Sequence, residues 1–201
     1  MNTVWSRIWR RLVGRFTYLP YVYARKEWDR QYMASRWDFL GGIEELAHHS
    51  IIAGYVRRLG SGKCILDVGC GTGTLQEILR GDSYQHYTGI DISAEAVQRA
   101  SARQDARTFF VCSDVTEFTP DRAFDVIVFN ECLYYLRDPV MVLKKCAAFI
   151  NKGGVFIISM YAETQTRLVW NMIAAEFGIY DETHVTNRAG TSWTIKVMRP
   201  H

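Results

Sequence analysis

Three glycines and three acids carry the clearest chemical signal in this sequence. Gly69, Gly71 and Gly73 fall in Ile65-Leu66-Asp67-Val68-Gly69-Cys70-Gly71-Thr72-Gly73, between an apolar run and a helical pattern. Glycines so spaced let a backbone turn sharply and approach a ligand closely. The helix that follows offers free N–H groups and the positive end of its dipole. Asp67 lies near the end of the apolar run, Asp91 ends a second run, and Asp114 follows a third. A carboxylate at Asp91 can accept hydrogen bonds from both hydroxyls of a ribose. A side-chain acceptor at Asp114 can take an exocyclic adenine amine. Acids at the ends of three adjacent strands line one crevice.

The spacing separates two kinds of nucleotide ligand. A dinucleotide fingerprint places glycine at the sixth position of G-x-G-x-x-G. In Gly69-Cys70-Gly71-Thr72-Gly73-Thr74 the third glycine comes one place early and threonine takes the sixth. A pyrophosphate needs a close approach to the helix, so the departure counts against a nicotinamide-dependent oxidoreductase. A ligand without phosphate asks less of the helix end and more of acidic acceptors.

The elements that must position these residues follow from periodicity. Strand-like runs at Lys63–Val68, His86–Ile90, Thr108–Cys112, Phe124–Phe129 and Gly154–Met160 alternate with helical patterns at Thr72–Arg80, Ala94–Ala102, Pro139–Ile150 and Thr164–Phe177. Such alternation implies crossover units and a mostly parallel sheet covered on both faces. Thr183–Asn187 and Ser192–Met198 are joined too tightly for a crossover and must form an antiparallel hairpin. The expected fold is α/β: a three-layer sandwich around a seven-stranded, mostly parallel sheet whose last strand runs against the others, preceded by an N-terminal helical extension. Within that extension Glu44–Leu59 is the most regular helix. The expected divisions are a basic arm over 1–26, a helical cap or lid over 27–61, and a ligand-binding domain over 62–201.

Here the sequence resembles a known family. Asp67 through Gly73 is similar to the first motif of class I S-adenosylmethionine-dependent methyltransferases. The resemblance implies S-adenosyl-L-methionine as cofactor, its methionine part wrapped by Asp67, Gly69, Cys70, Gly71 and Gly73. It puts the ribose on Asp91 and the adenine on Asp114, flanked by Ile92 and Val115. Phe124-Asp125-Val126-Ile127-Val128-Phe129-Asn130-Glu131 resembles the fourth-strand motif, which implies that Asn130 helps hold the methionine amino group. Asn151 through Ile158 matches the fifth-strand motif. The four motifs occur in family order over residues 63–200.

The family's reaction is an in-line displacement at a methyl carbon on a sulfonium, so the protein mainly positions the acceptor and excludes water. A hydroxyl acceptor needs a base within hydrogen-bond reach; a nitrogen or thiolate needs little more than placement. The candidate catalytic residues are His48, His49, Glu131 and Tyr134. The two histidines are neighbours on a helix, so at most one of them is expected to point inward readily. Tyr135 is expected to shape the pocket with Tyr134, His184 to be structural, and Trp28, Tyr32 and Trp37 to belong to a lid. No metal-ligand pattern stands out.

Composition bounds the rest. The chain has 201 residues, 48% hydrophobic and 22% charged, and no apolar run long enough to span a membrane. Its five cysteines form no Cys-x-x-Cys pair and read as free thiols of a reducing, cytoplasmic compartment. The net charge of +3 divides unevenly: residues 1–26 carry six basic groups and no acid, which leaves −3 for the remainder. That balance argues against a broad nucleic-acid surface and so against an RNA methyltransferase. Residues 4–16 pattern as an amphipathic helix, with Trp5 and Trp9 on one face and arginines on the other. Three roles fit it: lying in an anionic membrane interface at the inner face, docking on the domain, or serving as a transit peptide. Short layouts of this kind resemble enzymes of surface-polysaccharide, lipopolysaccharide or natural-product biosynthesis, which implies a small-molecule or glycan acceptor, the latter lipid-linked. A non-catalytic cofactor-binding scaffold is the rival from another class.

Overall fold

The computed structural model describes residues 23–60 and 63–200. The expected amphipathic segment at 4–16 lies outside them. Helix α1 (Arg25–Met33), a 3-10 turn (Asp38–Gly41) and α2 (Ile43–Gly60) precede the sheet. Then β1 (Cys64–Val68), α3 (Thr74–Ile78), β2 (His86–Asp91), α4 (Ala94–Ser101), β3 (Thr108–Cys112) and β4 (Phe124–Asn130) follow in turn. The chain closes with a 3-10 turn (Leu133–Tyr135), α5 (Pro139–Ala147), β5 (Ile150–Tyr161), α6 (Thr164–Ala174), β6 (Phe177–Thr186) and β7 (Ser192–Pro200).

The seven strands lie in the order β3-β2-β1-β4-β5-β7-β6. β1 to β5 pair in parallel, and β7 is antiparallel to both β5 and β6. The strands are apolar nearly throughout because both faces are covered. On one face Ile52 and Val56 of α2, Leu75 of α3 and Ala100 of α4 pack on Ile65, Val126, Val128 and Ile157. On the other, Leu143 of α5 and Ile173 of α6 pack on Leu66, Ile127, Phe156 and Ile158. This is the expected three-layer sandwich, with only the last strand reversed.

Several boundaries differ from the periodicity. The helix after the glycine loop is one turn, Thr74–Ile78, because Cys70 to Gly73 form the turn itself. The α5 helix stops at Ala147, and Ile150 already pairs with Phe124. The largest correction is Phe177, expected to end a helix, which instead opens β6. Its ring packs edge-on against Phe156 at 5.6 Å, and the strand runs along the whole of β7 past a register shift between Ile179 and Asp181. Most of β6 is exposed at the sheet edge, so the usual apolar alternation is missing from its sequence. The five cysteines are free. Among the described residues no helix is long and apolar enough to cross a membrane, and no group of three or more His, Cys, Asp or Glu could hold a metal ion.

Candidate active site

The strand order reverses beside β1, whose neighbours β2 and β4 leave in opposite directions through the sheet. Ligands in open α/β sheets bind there, outside the carboxyl ends of the strands. The loops after β1, β2, β3 and β4 meet at that edge around a cavity of about 530 Å³.

Backbone shape comes first. Gly69, Gly71 and Gly73 all have positive φ, at 71°, 54° and 84°. A side chain at Gly69 would bring its Cβ to 2.6 Å from that of Cys132, and one at Gly71 would sit 3.0 Å from the Tyr32 hydroxyl. The glycines therefore answer to both torsion and space. Gly69 N–H and Cys70 N–H donate to the Ile90 carbonyl at 2.8 and 3.0 Å, which fastens the loop to β2.

Asp91 completes that fastening. Its carboxylate accepts from the Gly71 N–H at 2.9 Å and from the Ser93 N–H at 2.8 Å. Burial pushes its carboxyl up to about 6, against the pull of those two donors. Asp67 is buried more deeply. Burial pushes it up to about 7; Tyr87 O–H donates to its Oδ2, and Oδ1 has no partner. Asp114 accepts from Thr116 N–H and hydroxyl, both at 2.7 Å, and lines the same cavity with Ile92 and Val115. At the end of β4, the Oδ1 of Asn130 is buried without a hydrogen bond.

The structure brings both histidines inside. His48 is 0% exposed and His49 3%, their rings are 4.2 Å apart, and both line the cavity. The expectation that only one would face inward fails because α2 is covered on two sides, by β4, β5 and β7 of the sheet and by the 3-10 turn Asp38–Gly41. His48 stacks on Trp193 at 4.6 Å. Neither of its ring nitrogens meets a hydrogen-bond partner, while Nδ1 lies 3.6 Å from a Glu45 carboxylate oxygen. Burial, with His49 beside it, drives the His48 pKa down to about 3, and burial drives that of His49 to about 4; the Asn130 side chain pulls His48 the other way. Both rings are neutral near pH 7.

Glu131 is placed differently from a free base. Its backbone has φ of 55°, rare for a residue with a side chain. The carboxylate accepts from Ser159 Oγ at 2.7 Å, Tyr161 N–H at 2.9 Å and Tyr134 O–H at 3.1 Å. Burial still pushes it up to about 7. Glu131 thus ties the end of β4 to the end of β5 and holds Tyr134. His184 sits away from the cavity, bonded to Thr194 at 3.0 Å and paired with Glu182.

Sequence reasoning missed the way the N-terminal segment is fastened. Asp29 accepts from Ser93 Oγ at 2.7 Å, and Arg99 donates to the Tyr32 carbonyl at 2.9 Å. Trp28 meets Tyr135 edge-on at 4.9 Å. α1 thereby bridges the Asp91 side of the cavity and the tyrosine side, and Trp28, Tyr32 and Trp37 all line it. Asp29 and Arg99 carry no local signal, since their partners come from distant sequence.

A scan against family models matches residues 43–194 to "Methyltransferase domain". The chain belongs to this family. It is 32% identical over 120 residues to the ubiquinone biosynthesis O-methyltransferase of Coxiella burnetii, covering 58% of this chain and 51% of that protein. It is 29% identical over 135 residues to the 2-methyl-6-phytyl-1,4-hydroquinone methyltransferase of Synechocystis, covering 66% of this chain and 42% of that one. The chain thus spans about half the length of the curated relatives it matches. In fold it is similar to the N-methyltransferase NodS of Bradyrhizobium japonicum, solved with S-adenosyl-L-homocysteine. The TM-score is 0.71 at 20% identity, over 82% of this chain and 91% of that one.

The residues of the methyltransferase domain fit S-adenosylmethionine. The positive-φ loop gives backbone room, Asp67, Asp91 and Asp114 line the cavity, and Asn130 keeps an unsatisfied acceptor there. An acidic cavity suits a sulfonium and an ammonium and repels a pyrophosphate.

Proposed function

We propose that this chain transfers a methyl group from S-adenosylmethionine to a small hydroxylated aromatic acceptor. One observation carries the reading: His48 lines the cavity with Asn130, its ring held between His49 and Trp193 and its Nδ1 3.6 Å from the Glu45 carboxylate. A histidine so fixed at a cavity wall, with a carboxylate behind it, has the arrangement of a positioned base. Trp28, Trp37 and Tyr135 supply flat apolar walls for a ring. By their names, one curated relative is an O-methyltransferase of ubiquinone biosynthesis and the other a hydroquinone methyltransferase, which supports the same class.

When bound, S-adenosylmethionine supplies an electrophilic methyl group on sulfur. In this reading Asp91 holds the ribose hydroxyls, Asp114 the adenine, with Ile92 and Val115 against its faces, and Asn130 the amino group. His48, whose basicity burial holds down to about 3, accepts the acceptor hydroxyl's proton on a ring nitrogen only as the oxygen attacks and the sulfur–methyl bond breaks, when the hydroxyl becomes strongly acidic. Glu45, 3.6 Å from Nδ1, stabilises the imidazolium that results. Glu131 and Tyr134 act as supports, and His49 fixes the His48 ring. A glycan, carried on lipid or not, is the second acceptor class.

Titration calorimetry tests the cofactor half. S-adenosylhomocysteine binds the wild type, and absence of binding overturns the proposal. A screen of catechols, hydroquinones and amines with labelled S-adenosylmethionine tests the acceptor half: transfer to amines alone excludes the hydroxyl reading.

A further inference from the structure

Asp29 of α1 reaches across to the start of α4. Its Oδ1 accepts from Ser93 Oγ at 2.7 Å and from the Glu95 N–H at 3.4 Å. A carboxylate there meets the unpaired N–H groups and the positive dipole end of that helix. Ser93 is the N-cap of α4, its Oγ accepting from the Ala96 N–H at 3.2 Å. The backbone N–H of the same residue donates to Asp91 at 2.8 Å. Ser93 is fully buried, so these partners decide its orientation. One serine thus serves two carboxylates, one on α1 and one at the end of β2.

The contacts close a circuit. Asp91 accepts from the Gly71 N–H at 2.9 Å, and the Tyr32 hydroxyl stands 3.0 Å from where a Gly71 Cβ would lie. Tyr32 comes three residues after Asp29, so both lie on one face of α1. Arg99, in the last turn of α4, donates to the Tyr32 carbonyl at 2.9 Å and to Glu95 at 2.9 Å. α1 is therefore clamped near both ends of α4, and the clamp passes through the acid assigned to the ribose. Charge makes a second link: burial raises the Asp91 carboxyl most, and Asp29 adds to the rise. Asp67 of β1, Cys70 of the glycine loop, Tyr32 of α1 and Cys132 after β4 also face that carboxylate, and Cys112 pairs beside it in β3.

We propose that Asp29 is a positioning residue of the cofactor site: through Ser93 it orients the Asp91 carboxylate and holds α1 against the glycine loop. That role rests on the reading of Asp91 as the ribose acid.

Titration calorimetry of the full chain with S-adenosylhomocysteine, from about pH 5 to pH 8, tests it. Asp29→Ala should weaken binding about tenfold at the upper end of that range. Asp29→Asn keeps an oxygen for Ser93 Oγ and drops the charge, so it should lose less. Removing a like charge lowers the Asp91 pKa, so the ionised form persists further down. The Asp29→Asn affinity should therefore fall at a pH about half a unit below that of the wild type. A merely structural Asp29 would leave that midpoint in place. In a Ser93→Ala background, Asp29→Ala should cost less than about threefold more, because the shared bond is already gone. Asp29→Ala binding as tightly as a wild type that does bind overturns the proposal alone. So does an unmoved midpoint in Asp29→Asn, or a full tenfold loss added to that of Ser93→Ala. A wild type that binds no S-adenosylhomocysteine overturns the cofactor reading and the proposal with it.

Discussion

The Asp91 carboxylate holds the Gly71 backbone N–H at 2.9 Å, so the residue assigned to the ribose also braces the loop assigned to the methionine part. Asp91→Ala should weaken S-adenosylhomocysteine binding by more than about tenfold, since it removes a charge-assisted acceptor and frees the loop together. Calorimetry reads the first effect. Hydrogen exchange at residues 69–73 reads the second, and a loop that stays as protected as in the wild type would contradict the bracing role.

The same carboxylate predicts a pH dependence. Its pKa stands raised to about 6, and its ionised form is the one that accepts two hydroxyl hydrogen bonds. Cofactor affinity should therefore fall as pH drops through 6. In Asp91→Asn the affinity should be low and flat across that range. An equally sloping Asp91→Asn profile would assign the titration elsewhere.

His48→Ala should lower kcat by about 10²-fold to 10⁴-fold for a hydroxyl acceptor, the usual contribution of a positioned base. S-adenosylhomocysteine affinity should hardly change, because the assigned cofactor contacts lie on other residues. His48→Gln should recover little, since an amide cannot take the proton. A His48→Ala enzyme with normal turnover would remove the base from the mechanism.

Glu131 makes a prediction about stability. Its carboxyl stands near 7 in the fold against an ordinary 4.5, so the fold favours the protonated form. The associated stabilisation is complete below about pH 4.5 and is lost as pH rises to 7, on the order of 1 kcal/mol per unit. The stability difference between wild type and Glu131→Gln should shrink over that interval and level off above it. Chemical denaturation at several pH values measures this, and a constant difference would rule it out.

Gly71→Ala should destabilise the chain by roughly 1–2 kcal/mol from its left-handed torsion. It should also displace Tyr32, whose hydroxyl stands 3.0 Å from the added carbon. A thermal melt and the fluorescence of the neighbouring tryptophans report the two effects. Gly81→Ala shares the positive φ, at 88°, and has open space around its Cβ, so it serves as a control for torsion alone.

What the sequence determined by itself was local or repetitive. The strand–helix alternation, the glycine loop and the acids at strand ends were legible because each depends on a few consecutive residues and a fixed period. Tertiary structure decided whatever depends on two distant segments. Phe177 became a strand residue because β7 offers it a full-length partner. His48 and His49 were both buried because α2 lies between the sheet and the 3-10 turn that precedes it. Glu131, a plausible base on paper, became a tie across β4 and β5 once Ser159, Tyr161 and Tyr134 came within 3.1 Å of it. Hydrogen bonding and burial belong to the assembled neighbourhood, and they sort the residues that hold the site from those left free to act in it.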